Sequence, residues 1–223
     1  MLKTIFQILE DAANPTLAVG MKAYQKNKFE FFGITSPTRR EICKPILLHC
    51  KSLSKKETID LAKKLWRQPQ RECHYLAQEL LFQNLKKSLE KEDIIWLEWL
   101  VLNNSWWDTV DFIAPKLIAI YFKIFPEERN KKTDEWIASK NTWLIRSALL
   151  FQLKYKDETD VDFLFVTILR VSNTKEFFIN KAIGWVLREN AKRIPDTISD
   201  FIEENKNQLS NLSIREGLKH IGS

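Results

Sequence analysis

The chain has 223 residues, 44% of them hydrophobic and 29% charged, and that apolar share is ample for a continuous core, which excludes a disordered chain. Five glycines and seven prolines among abundant Leu, Ile, Lys and Glu argue against a strand-rich sandwich and for an all-α fold with short connections. The 35 Lys and Arg against 29 Asp and Glu give +6 and a pI near 9.1, compatible with a polyanionic partner and equally with a solvated basic surface.

The excess leans to the N-terminal half, +5 over residues 1–104 against +1 over residues 105–223. Cys43, Cys50 and Cys73 include no Cys-x-x-Cys, and their odd number argues against a disulfide framework and for a reducing compartment. His49, His74 and His220 are scattered without ligand spacing, so neither a metal nor another cofactor is expected. At the N-terminus, Met1 to Phe6 meet Glu10 and Asp11 before a secretory apolar region develops. No apolar run nears the ~18 residues a membrane span needs. A soluble cytoplasmic protein with no membrane partner is expected.

In chain order, helix-start signals fall at Asn14-Pro15, Ser36-Pro37, Ser54 with Glu57 three residues on, Phe125-Pro126 and Ile194-Pro195. Each is a capping residue, a capping box or a first-turn proline ahead of apolar periodicity. They predict about a dozen helices of roughly 10 to 20 residues. Starts near Pro69, Ser105, Asn141, Phe177 and Ser213 recur every 36 residues, and each period holds two helices, as in residues 90–103 followed by 105–125. A two-helix unit at this period marks a HEAT-like helical-repeat solenoid, an α-α superhelix with a concave basic face, here one domain over residues 1–223. The alternative is an irregular bundle with coincidental spacing.

Chemistry-bearing residues concentrate in Asn104-Ser105-Trp106-Trp107-Asp108-Thr109-Val110-Asp111. On a helix Trp107 and Asp111, four apart, share a face, while Trp106 points into the core and Asp108 serves the positive helix N-terminus. One period later, in Asn141 to Ala148, Arg146 lies 35 residues after Asp111, so stacked repeats should bring the two together. A third cluster runs from Lys175 to Glu189. There Gly184 costs about 1 kcal/mol inside a helix and suggests close helix packing or ligand approach. Trp185 and Arg188 share a face, with Arg188 reaching outward as a phosphate contact.

At these residues the chain resembles the alkylpurine DNA glycosylases built from HEAT-like repeats, the AlkD-like family. The resemblance runs through Phe31 to Arg40, Ser105 to Asp111, Trp136 to Ser139, Trp143 to Arg146, Phe151 to Lys156 and Lys175 to Glu189, in order over nearly the whole chain. It implies a monomer of the bacterial cytosol or nucleoid acting on double-stranded DNA with alkylated purines. It implies that Asp111 is the catalytic carboxylate, that Trp107 and Trp185 flank the lesion nucleotide's backbone, and that Arg146 supports Asp111 and a neighbouring phosphate. Tyr24, Thr35, Ser36, Arg39, Arg40, Lys154, Lys156, Lys181 and Arg188 are expected to contact DNA. The chain departs from the family at Thr35, where a relative carries a longer polar residue, and again by stopping soon after His220-Ile221. A catalytically silent DNA-binding relative would be marked by loss of the Asp or Arg, and a protein-binding scaffold by their failure to converge.

Overall fold

The start signals fold as their chemistry requires. In the computed structural model, which describes residues 1–219 and Ile221, Asn14 caps α2 (Pro15–Tyr24) by accepting the Leu17 N–H at 3.1 Å. Ser54 and Glu57 form the full capping box of α4 (Lys55–Trp66), the Ser54 N–H donating to Glu57 Oε2 at 2.9 Å. Pro126 and Pro195 occupy first-turn positions of α9 (Pro126–Ala138) and α13 (Pro195–Glu204). Only α3 (Ser36–His49) begins one residue early, because Thr35 rather than Ser36 takes the extended cap position.

The chain forms two compact units. The first, Met1–Leu89, contains α1 (Leu2–Asp11), α2, α3, α4 and α5 (Arg71–Leu85). Its core gathers Leu9, Leu65, Trp66, Cys73, Leu76 and Leu80, each at most 1% exposed. It carries 16 Lys and Arg against 8 Asp and Glu, a surplus of 8. The second unit, from Glu90 onward, therefore holds 19 basic and 21 acidic residues, a balance of −2. The whole positive excess resides in the first unit.

The second unit contains α6 (Ile94–Leu102), α7 (Trp107–Ile113), α8 (Ala119–Ile124), α9, α10 (Thr142–Leu150), α11 (Val161–Ser172), α12 (Phe177–Ala191), α13 and α14 (Asn211–Gly217). A single π turn, Ala114–Ile118, joins α7 to α8. Helices α7, α10, α12 and α14 lie side by side, while α9 and α11 pack on α10, and α11 and α13 on α12. The second helices start at residues 71, 107, 142, 177 and 211, in steps of 36, 35, 35 and 34. The fold is an all-α helical repeat, and no β-strand occurs among the described residues.

Repeat stacking is visible in bonds that span one period. Tyr155 Oη donates to Ala119 O at 2.5 Å across 36 residues, Lys123 pairs with Glu158 across 35 and Arg170 with Asp134 across 36. The exposed ion pairs among these are worth at most about 1 kcal/mol each. Buried aromatic area does more. Tyr121, Trp136 and Phe151 are at most 1% exposed and meet through Phe122, whose ring lies 4.9 Å from that of Phe151 and 5.6 Å from that of Trp136.

In the first unit a buried carboxylate shapes the loop before α3. Glu72, 1% exposed, accepts the N–H groups of Phe32, Gly33 and Ile34 at 3.1, 2.9 and 3.1 Å. Gly33 holds φ +87°, and a Cβ there would stand 2.0 Å from Asn14 O and 2.7 Å from Ala18 N. Gly33→Ala is expected to destabilise this unit by more than about 2 kcal/mol, the left-handed penalty plus a clash with backbone that cannot swing aside. An unchanged urea midpoint would show that the loop has another conformation open to it.

Candidate active site

The site is assembled at the N-terminal ends of three neighbouring helices, one per repeat. Before α7 the chain turns at Asn104, φ +50°, and Trp106 is fully extended. Thr109, fully buried, fixes this entry by donating from Oγ1 to Trp106 O at 3.2 Å. Trp107 opens α7 and Asp111 follows one turn on, with Asp108 in the helix's first turn. Pro115 lacks the N–H that an α-helix would give to the Asp111 carbonyl, and the helix widens into the π turn at that point.

The next repeat delivers Arg146. The turn into α10 is set by Ser139, whose Oγ donates to Trp136 O at 2.6 Å and accepts the Asn141 N–H at 3.1 Å. Asn141 then caps α10 by accepting from Trp143 N and Leu144 N at 3.0 and 3.2 Å. So positioned, Arg146 grips Asp111 with two parallel bonds, Nε to Oδ1 at 2.8 Å and Nη2 to Oδ2 at 2.9 Å. Its Nη1 donates to Phe178 O at 2.5 Å in α12. One guanidinium thus ties three successive repeats.

Arg146 is 4% exposed, whereas the Asp111 side chain keeps 16% exposure. In this arrangement the guanidinium serves Asp111 and Phe178 through three of its five N–H donors. Burial pushes the Asp111 carboxyl above its ordinary range, the hydrogen bonds and charge of Arg146 pull it back, and Asp108 adds a further upward push. A carboxylate oxygen offers about two acceptor directions. With one on each oxygen taken by Arg146, Asp111 retains acceptors for a group outside.

Beside the pair, Trp106, Trp143 and Phe178 form a ring cluster with centroids 5.4, 5.0 and 5.1 Å apart. Trp106 is thus half-buried in an aromatic cluster rather than sunk in the core. Trp143 and Phe178 received no role from the sequence. Their signal was the recurrence of an aromatic at 106, 143 and 178, close to the repeat step. Trp107 and Trp185 are half-buried, Trp185 on α12 two turns beyond Phe178.

The remaining expected residues separate into two groups. Tyr24 is 70% exposed at the end of α2, Ser36, Arg40, Lys154 and Lys156 are exposed, and Thr35 is half-buried with its Oγ1 3.0 Å from Thr38 Oγ1. Arg39, by contrast, is 6% exposed and bound at both terminal nitrogens by Glu79 at 2.8 and 2.9 Å. It is a structural ion pair between α3 and α5, not an open cation. Lys181 and Arg188 both reach Glu216, at 2.9 and 2.7 Å. His74 is fully buried, linked to Arg71 Nη1 at 2.9 Å and Gln68 O at 2.8 Å, and His220 lies outside the described residues. Among the described residues no three His, Cys, Asp or Glu side chains are grouped to hold a metal, and no helix is long and apolar enough to cross a membrane.

A chain of this organisation has relatives. A search of curated proteins finds no match. A solved structure described as a predicted DNA alkylation repair enzyme from Enterococcus faecalis is 31% identical, superposes with a TM-score of 0.86, and is covered over 97% of its length by 95% of this chain. The family model for DNA alkylation repair enzymes matches residues 5–221, so that it takes in both compact units. With the helical repeat and the Asp111–Arg146 pair in place, the chain belongs to the DNA alkylation repair enzyme family.

Proposed function

We propose that this protein is a DNA glycosylase that hydrolyses the N-glycosylic bond of cationic N3- or N7-alkylated purines in duplex DNA. The observation that carries the reading is a carboxylate locked by a buried, bidentate arginine yet still open on one side. As the C1′–N bond breaks, its electron pair leaves with the purine and cancels the base's positive charge, so the departing base needs no proton. Positive charge develops instead on the sugar. Asp111 faces that charge as a fixed anion, orients the water that adds at C1′ and takes up the proton this water loses as the C1′–O bond forms. Trp107 and Trp185 offer ring faces to the deoxyribose, a cation–π contribution to the same charge.

The duplex is held by phosphate contacts from Arg40, Lys154, Lys156, Lys181 and Arg188, with Tyr24, Thr35 and Ser36 at the backbone. The surplus of 8 in the first unit supplies the long-range attraction that the second unit, at −2, does not. The protein acts in this reading as a monomer in the cytosol, as one HEAT-like repeat domain.

The test is base release under single turnover. Incubation with methylated duplex DNA is expected to free 3-methyladenine and 7-methylguanine and to leave a uracil-containing duplex intact, since uracil departs as an anion that calls for an acid. Release of uracil, or retention of both methylated purines, would overturn the proposal.

A further inference from the structure

On α12, Lys181, Trp185 and Arg188 stand at i, i+4 and i+7 and therefore share one stripe. Between the two cations, on the neighbouring repeat, lies Glu216. Its Oε1 is 2.9 Å from Lys181 Nζ and its Oε2 2.7 Å from Arg188 Nη1, one oxygen to each. The carboxylate is 15% exposed, Arg188 25% and Lys181 42%, so the anion sits beneath two cations that remain open to solvent.

This arrangement depends on Gly184. A Cβ there would lie 2.5 Å from Glu216 Cβ and 3.2 Å from Ser213 O, so any side chain at 184 drives α14 away from the stripe. Gly217 works from the other helix, where a Cβ would meet Ile202 Cδ1 at 3.0 Å and Leu187 Cβ at 3.1 Å. Ser213 Oγ adds a bond to Asn180 O at 3.0 Å. The helix-interior glycine that the sequence leaves open between packing and ligand approach serves packing, and what it admits is Glu216.

We propose that Glu216 is a positioning residue for the DNA-contacting face of α12: it holds Lys181 and Arg188 at fixed stations on either side of Trp185, and cancels one of their two charges. The inference rests on the proposed glycosylase reading. Consistent with it, the hydrogen bond from Lys181, followed by the nearby Lys181, Arg188 and Lys219 charges, holds the Glu216 carboxyl below its usual range. Each cation gives only part of its donors to Glu216, leaving the others for a phosphate. Fixed cations orient the sugar-phosphate against Trp185. The retained negative charge weakens general affinity for DNA, so Glu216 exchanges binding strength for alignment.

Two variants separate charge from reach. Glu216→Gln removes the charge at constant size, so one more phosphate charge is neutralised on binding. Affinity for undamaged duplex should rise, and the log-log salt slope should steepen by about 0.9. Base release from the saturated complex should nonetheless fall about tenfold or more, the scale of a small misalignment. Glu216→Asp keeps the charge and shortens the reach, so its salt slope should match the parent while release slows. Circular dichroism and melting establish that both are folded, and a simple packing defect would lower binding and release together. The proposal fails if Glu216→Gln leaves the slope unchanged, or if both variants release base at the parent rate. Failure of the glycosylase reading is distinct, because the parent protein would then release no base at all.

Discussion

Asp111→Asn is expected to reduce base release by roughly 10²- to 10³-fold, the size of effect seen when one preorganised electrostatic contact to a developing charge is lost, about 2.7 to 4 kcal/mol. Asn keeps the size and one acceptor, so the Arg146 Nε bond at 2.8 Å survives. The second bond does not, since the amide NH2 would face Nη2. The structure also adds a cost that sequence alone does not disclose. Arg146 is 4% exposed, and a buried charge that loses its partner destabilises a fold by about 3 to 5 kcal/mol, less whatever the remaining bond preserves. The variant should therefore melt lower as well as react slower, and rates must be compared well below its melting transition. A folded Asp111→Asn with parental release would remove Asp111 from the mechanism.

The same carboxylate sets a pH signature. Its pKa lies above the ordinary aspartate value because burial outweighs the pull of Arg146, with Asp108 adding to the rise. The reactive form is the anion, so release should fall as pH drops through that raised pKa, and the acid limb should lie at higher pH than an ordinary Asp near about 3.9 would give. Asp108→Asn removes the like charge and should move the limb to lower pH. An unmoved limb would mean that it reports some other group.

What the sequence disclosed follows from the repeat. Two residues one period apart on equivalent helices must come near one another, which is why Asp111 and Arg146 could be paired from their spacing of 35. The same rule contained Lys181 and Glu216, also 35 apart, but α14 has only seven residues, and its short amphipathic stretch left the acidic partner without a place. Arg39 was misread for a different reason. Neighbouring residues on a helix point about 100° apart, so of Arg39 and Arg40 only one is free to face outward. The buried positions Arg39, Cys43 and Ile46 fall at i, i+4 and i+7, a stripe that assigns Arg39 to the interior. Arg39 and Arg40 had both been expected to contact DNA, where the period indicates one outward and one inward. The division of charge between the units was hidden similarly, because a midpoint at residue 104 places Glu90, Glu92, Asp93 and Glu98 in the wrong half.

Arg146→Ala is expected to be more damaging to the fold than any other change considered, with a loss of about 3 to 5 kcal/mol, since it leaves Asp111 buried without its counter-charge. The truncation also abandons Phe178 O, whose 2.5 Å bond from Nη1 ties α12 to the pair. Activity should fail by a route that pH exposes. Without Arg146 the two influences that lower the Asp111 pKa vanish, whereas burial and Asp108 remain, so the carboxyl stays protonated to higher pH. Release by Arg146→Ala should accordingly show its acid limb at higher pH than the parent and recover in part as pH rises. Arg146→Lys is the decisive companion. It restores a charge but not the planar fork that makes two parallel bonds to Asp111 and a third to Phe178. Its acid limb should lie between those of the parent and Arg146→Ala, with stability recovered only partly. If release by Arg146→Ala is lowered equally at every pH, Arg146 acts by geometry alone and not by keeping Asp111 ionised.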